Sequence, residues 1–240
     1  MFAKTLSVST ALTVLVSLGA CNMSAQDTAV PETAQSREDI EAIVRAYLIE
    51  NPEVIVEALD VLAERENERL GAQLASNDGD FSIGPADAEV TIVEYFDYHC
   101  GYCRRSLDWV MDQVENSDGR VRVVFKELPI LSEQSVRAAR AAIASQNQDK
   151  YLEFHQAMMR HSGQLTDDVI FEIAGDVGLN TARLERDMES DEIDSELSRI
   201  LGEARENGVT GTPAFFINGE LYSGFAQRDL EERIESLLEG

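Results

Sequence analysis

Two cysteines stand one helical turn apart in the run Cys100-Gly101-Tyr102-Cys103. Thiols at that spacing can work as a pair, one thiolate attacking a disulfide sulfur and the second resolving the mixed disulfide that forms. The attack needs a thiolate near neutral pH. A helix start supplies the field for it, because unpaired backbone N–H groups and the helix dipole favour negative charge there. Cysteines so placed have pKa values drawn down to about 3.5–7.5. Cys100, at the start of the turn, is therefore the expected nucleophile. Cys103, one turn on and pointing inward, is the expected resolving thiol.

The same residues admit other chemistry. The chain holds three cysteines and three histidines. With Cys21 set aside in the N-terminal leader, two thiols are too few for a structural disulfide framework. A zinc site needs two further ligands, and His99, His155 and His161 show no paired metal-ligand spacing. Two soft sulfurs do suit Cu(I), so a copper-sequestering protein is the alternative from a different class. No metal and no cofactor is expected beyond the redox-active disulfide that Cys100 and Cys103 can form.

Elements that would position such a dithiol are legible on either side of it. Val90-Thr91-Ile92-Val93-Glu94-Tyr95-Phe96 is rich in β-branched and aromatic residues and reads as a buried strand. From Arg104 to Val114 the apolar positions Leu107, Val110, Met111 and Val114 follow helical spacing. A second strand, Val121 to Leu128, ends at Pro129. Helical patterns then run over Ser135–Gln146, Asp149–Arg160, Thr166–Val177 and Thr181–Leu201. After Gly211-Thr212-Pro213 the strands Ala214–Ile217 and Leu221-Tyr222 are joined by the hairpin turn Asn218-Gly219, and a last helix spans about Gln227–Leu238. Pro213 is either an ordinary turn proline before a strand or a constraint next to the dithiol.

Ahead of this lies a segmented N-terminus. Lys4 followed by an apolar run to Ala20 has the layout of a secretory signal. Leu18-Gly19-Ala20-Cys21 resembles the bacterial lipobox, which makes Cys21 a lipidation candidate; cleavage near Ala25 would instead discard it. Residues 22–35 read as a tether. Ser36 with Asp39 has a capping arrangement, and Ile40, Ile43, Val44, Tyr47 and Leu48 form one stripe. Asn51-Pro52 would cap and open a second helix carrying Ile55, Ala58, Leu59 and Leu62. Two helices with one apolar stripe each need a partner surface. The charged stretch Ala63–Arg69 and the Gly/Ser-containing residues 71–79 favour a detached self-association segment, 36–76, over one folded back on the main domain, 77–240.

Charge narrows the partners. The net charge is −25, with a pI near 4.3. Phosphate binding rests on basic patches that this chain lacks, so nucleic acid is disfavoured. Acidic residues spread over helical stretches such as Glu185–Glu196 read as solvated surface.

Phe96-Asp97-Tyr98-His99-Cys100-Gly101-Tyr102-Cys103 and Gly211-Thr212-Pro213-Ala214-Phe215-Phe216 resemble the two signatures of the DsbA-like branch of the thioredoxin superfamily. The resemblance implies an α/β thioredoxin fold with an inserted helical domain, here residues 131–208, preceded by an N-terminal helical segment. It also implies a cis bond at Thr212-Pro213, packed on the dithiol and presenting backbone to a substrate strand. Tyr47-Leu48-Ile49-Glu50-Asn51-Pro52-Glu53-Val54-Ile55 resembles the N-terminal segment of ScsC-type proteins, of the suppressor-of-copper-sensitivity system. That likeness implies a periplasmic homo-oligomer such as a trimer, acting on unfolded or misoxidised exported proteins and kept reduced by a membrane thiol reductase of the DsbD or ScsB kind.

The dipeptide between the cysteines bears on direction. Gly101-Tyr102 lacks the internal histidine of the strongly oxidising pattern, and His99 lies just outside the motif as a modulator or a merely satisfied side chain. The expectation is an isomerase or reductase, with a monomeric disulfide oxidase as the alternative. Glu127 beside Lys126 is read as a solvent-facing ion pair rather than as a buried acid serving Cys103. Tyr98 and Tyr102 are candidates for an apolar rim, with core packing equally good for Tyr98.

Overall fold

The computed structural model describes residues 36–77 and 79–239. The signal segment, the tether and Cys21 lie outside the described residues. The chain divides into two compact units, the first ending at Pro52 and the second starting at Glu53.

In the first unit, α1 (Arg37–Glu50) starts at a full capping box: the Ser36 side chain accepts from the Asp39 N–H, and the Asp39 carboxylate accepts from the Ser36 N–H. None of its residues is buried, and Ile40, Ile43, Val44 and Tyr47 stand about half exposed. Asn51, expected to start the next helix, instead closes this one, donating its backbone and side-chain N–H groups to the Tyr47 carbonyl.

In the second unit, α2 (Glu53–Leu74) corrects the expected break at 71–79, since the helix runs unbroken through Gly71. Its first half leaves Ile55, Leu59 and Leu62 exposed, whereas Gly71 and Leu74 are buried. A glycine inside a helix costs about 1 kcal/mol, and contact explains its presence. A Cβ at Gly71 would come within 2.8 Å of the backbone at Asn218 and Gly219.

A five-stranded sheet follows in the order β1-β3-β2-β4-β5. Its strands are β1 (Phe81–Ile83), β2 (Val90–Phe96), β3 (Val121–Glu127), β4 (Ala214–Ile217) and β5 (Glu220–Ser223). β2 and β3 are parallel, joined by α3 (Gly101–Glu115); β4 runs antiparallel to β2. Between β3 and β4 come α4 (Glu133–Ser145), α5 (Tyr151–Arg160), α6 (Asp167–Asp176), α7 (Thr181–Asp187) and α8 (Asp191–Glu206). The single helix expected over 181–201 is two, because the chain turns extended at Ser190 after Met188 closes α7. The β4–β5 turn has positive φ at both Asn218 and Gly219, the hairpin geometry that Asn-Gly favours. The chain finishes with α9 (Gln227–Glu239).

Strand alternation sorts the core onto two faces. Val90, Ile92 and Phe96 of β2 join Val121, Val123 and Phe125 of β3 against α3 and the helical insertion. Val93, Tyr95 and Val124 face the other way, toward Leu74, Ile200 and Ala204. Among the described residues no helix is long and apolar enough to cross a membrane.

Candidate active site

The dithiol sits where β2 gives way to α3. Cys100 is the N-cap of α3, in extended conformation, and its N–H donates to the Asp97 carbonyl at 2.9 Å. Cys100 retains 7 % exposure and Cys103 only 1 %. The outer sulfur thus has a small opening to a client, and the inner one has almost none. From 112 residues away in the chain, the Thr212 carbonyl accepts from Cys100 Sγ at 3.2 Å, and the Thr212–Pro213 bond is cis. The structure therefore brings Cys100 and Cys103 together with Thr212 and Pro213, two pairs that lie far apart in the sequence.

The two thiols have opposite acidities. Cys100 is drawn down to about 5, first by the Cys103 thiol donating to it, then by the Thr212 side chain and the backbone N–H groups of Cys103 and Tyr102, with partial burial opposing. Thr212 Oγ1 is buried and otherwise without a partner, so it can donate to the sulfur once that sulfur loses its proton. Cys103 is pushed far above the ordinary thiol range by burial, by its hydrogen bond to Cys100 and by the charge of Glu94. One sulfur is poised as a thiolate while the other holds its proton, which is the division of labour disulfide exchange requires.

Glu94 is the site residue that the sequence reading passed over. It is buried on the α3 face of β2, its carboxyl accepting from Ser106 Oγ at 3.0 Å. Burial pushes its pKa up to about 8, the Ser106 bond opposes, and the nearby Cys100 charge adds to the rise. The available signal was parity: Glu94 shares the alternation of Ile92 and Phe96, an acid at a core-facing position of an apolar strand.

The reading of Lys126 and Glu127 as a solvent-facing pair is overturned. Both are buried, and neighbours on a strand point to opposite faces, so they cannot pair. Lys126 meets Asp80 and Glu203 on one face. Glu127 accepts from the hydroxyls of Tyr98 and Tyr151 on the other, and burial raises its pKa well above the carboxylate range.

The remaining candidates divide. His99 makes its ring contact with Ser135 Oγ at 3.2 Å, and burial lowers its pKa, so it stands as a neutral side chain at pH 7. Tyr102 is 57 % exposed, with the Arg105 guanidinium over its ring. Tyr98 is core, edge-on to Phe96. A side chain at Gly101 would meet nothing within 4 Å, so packing does not demand glycine there. Among the described residues no three His, Cys, Asp or Glu side chains are grouped to hold a metal ion.

Two family models match the chain: thioredoxin over residues 76–237, and the copper resistance protein ScsC N-terminal domain over residues 37–69. A thioredoxin-like oxidoreductase from Silicibacter pomeroyi is 38 % identical, with a TM-score of 0.66 over 70 % of this chain and 98 % of that one. A linker-deletion mutant of Proteus mirabilis ScsC is 28 % identical, with a TM-score of 0.63 over 88 % of this chain and 98 % of that one. The Na+/H+ antiporter NhaA of Nitrosospira multiformis is 31 % identical over 147 residues, 60 % of this chain. The chain spans about a quarter of the length of the curated antiporters it matches (24 % for this one). Fold and site together define a thiol–disulfide oxidoreductase of the DsbA-like kind. The chain belongs to the thioredoxin family, as a member of ScsC type.

Proposed function

We propose that this protein is a disulfide isomerase and reductase of exported proteins, with Cys100 as nucleophile, Cys103 as resolving thiol and the Thr212–Pro213 backbone as the client's docking edge. The Cys100 thiolate attacks one sulfur of a wrong client disulfide, forming a mixed disulfide and releasing a client thiolate. In isomerisation that client thiolate attacks a second client disulfide, and the thiolate released there attacks the client sulfur bonded to Cys100, closing the correct bond and freeing Cys100 as a thiolate. In reduction Cys103 gives up its proton and attacks Cys100, so the client departs as a dithiol and the protein as the Cys100–Cys103 disulfide. A membrane thiol reductase then returns the two electrons.

The observation that carries this reading is the contrast between a slightly open Cys100 at the start of α3, beside the Thr212 carbonyl, and an enclosed Cys103. Direction is supported by two further features. Cys100 near 5 is less acidic than the ~3.5 of the most oxidising members of this chemistry. The exposed stripes of α1 and the first half of α2 suit association of copies, which sets several dithiols around one client. Export to the periplasm of a Gram-negative bacterium is supported by the signal-like sequence of residues 1–21 and by the similarity to a periplasmic thioredoxin-like protein of Salmonella enterica, with Cys21 either lipidated or removed.

The test is refolding of scrambled ribonuclease by the mature protein under a fixed glutathione poise. Recovered activity that vanishes in Cys100→Ser, and that falls severalfold in an Ile43→Asp, Leu59→Asp variant of lower mass in solution, supports the associated isomerase. No recovery from scrambled substrate, with rapid oxidation of reduced substrate, replaces it with a disulfide oxidase.

A further inference from the structure

Three residues lead from β2 to the nucleophile, and each reaches away from its own loop. Asp97 is buried; one carboxylate oxygen accepts from the His99 N–H at 2.8 Å, and the other accepts from the N–H groups of Ile130 and Leu131, both at 3.0 Å, where the helical insertion begins. His99 contacts Ser135 in the first turn of α4. Tyr98 is held at both ends. Its carbonyl accepts from Arg104 Nε at 3.0 Å, while the Nη1 of the same guanidinium donates to the His161 carbonyl at 2.9 Å, just past α5.

The hydroxyl of Tyr98 enters a closed polar cluster. It lies 3.0 Å from Glu127 Oε1 and 3.0 Å from His155 Nδ1, and the Tyr151 hydroxyl donates to the same Glu127 oxygen at 2.8 Å. With the single Tyr98 proton directed to Glu127, His155 must supply an Nδ1–H to the Tyr98 oxygen. His155 Nε2 and Glu127 Oε2 are then buried with no partner. Four buried side chains therefore form one network, in which burial raises the Glu127 pKa well above the carboxylate range and lowers that of His155 to about 3. Disulfide exchange as derived above uses none of them. The two hydrogen bonds of the Tyr98 hydroxyl in this enclosed cluster would each be lost without replacement by water if Tyr98 moved, which suits a fixed anchor.

We propose that Asp97-Tyr98-His99 is a positioning device, with the Tyr98–His155–Glu127 cluster at its centre, through which the helical insertion sets the reactivity of Cys100. The physical link is short. The Tyr102 and Cys103 N–H groups and Thr212 stabilise the sulfur only while the residues before Cys100 hold it against them. Bonds to a charged group are worth about 1.5–3 kcal/mol each and fall steeply with misalignment. The inference rests on Cys100 being the attacking sulfur, as proposed above.

Thiolate absorbance of the reduced protein, titrated against pH, reads this directly. Tyr98→Phe and His155→Phe should each move the Cys100 transition upward by about one pH unit. The double variant should move no further than either single one, because both break the same link. Glu127→Gln keeps an oxygen for both tyrosines and should titrate as the parent does. Should the Tyr98 variant fail to fold, Arg104→Met cuts the other attachment of the same residue and should shift the transition in the same direction. Variants that lower the melting temperature with the titration unmoved overturn the proposal and leave a structural cluster. A parent protein with no thiolate below the free-cysteine range would instead sink the assignment of Cys100 as nucleophile, a separate failure.

Discussion

The N-terminal helices and the catalytic domain carry similar apolar spacing, yet only the domain buries it. Ile43 of α1 and Leu59 of α2 are 54 % and 59 % exposed, whereas Ile92, Phe125 and Phe154 are sealed in the domain core. Helical periodicity says that a face wants covering; it does not say by what. The last turn of α2 is the intermediate case, because there Gly71 and Leu74 find a surface on the β4–β5 hairpin. What separates the two regions is a long-range partner for each stripe.

The contrast can be broken most forcefully from the domain side. Phe125→Ala empties a buried aromatic site and should cost about 3–5 kcal/mol, read as a lower urea midpoint. Ile43→Asp with Leu59→Asp touches exposed positions and should leave the domain's midpoint within about 0.5 kcal/mol of the parent. Equal losses from the two would erase the distinction drawn here.

A substitution at the joint sharpens the contrast with a smaller effect. Gly219 has φ of +88°, and a Cβ there would run into the Asn67 carbonyl of α2. Gly219→Ala should destabilise by about 1–3 kcal/mol, with faster hydrogen exchange concentrated in the last turns of α2. A loss spread evenly over the domain would show that the joint is no separate region.

Charge supplies the most local contrast. In the reduced protein Cys100 is lowered to about 5 from the ordinary thiol value of 9.0. The unfolded chain therefore binds its proton more tightly, and the resulting stability is full above pH 9 and lost as pH falls through 5. Glu94, raised to about 8, acts with the opposite sign: its contribution is present below its unfolded value and lost as pH rises through 8. Burial and the Ser106 bond, the larger causes of that shift, act in both redox forms, and the Cys100 charge, which only the reduced form carries, is the smallest, so the difference between reduced and oxidised stability should rise with pH from about 5 to about 9. Paired denaturant titrations measure it, and the Asp variants of the helices should leave the difference unchanged.

Much of the site could be read from one stretch of chain. Cys100 and Cys103 follow a β-branched run and open a helical pattern, which places them at a strand-to-helix turn without any tertiary information. Glu94 and Glu127 were harder, since a lone acid in a strand faces solvent far more often than core, and only the packing of both sheet faces removes that choice. Lys126 shows the same difficulty from the other side: its partners Asp80 and Glu203 lie 46 and 77 residues away.

By itself, then, the sequence determined the local terms: where strands and helices start, that a thiolate is favoured at Cys100, and that α1 and α2 each present an apolar stripe. These depend on neighbours within a turn or two, where capping, alternation and the helix field act. Only the tertiary structure decided that Thr212 meets Cys100, that Glu94 and Glu127 are buried acids in different networks, and that α2 stays helical through Gly71 to dock on the hairpin. Those outcomes rest on which distant surfaces exclude water from a group, and burial of that kind belongs to the packed fold rather than to any segment of it.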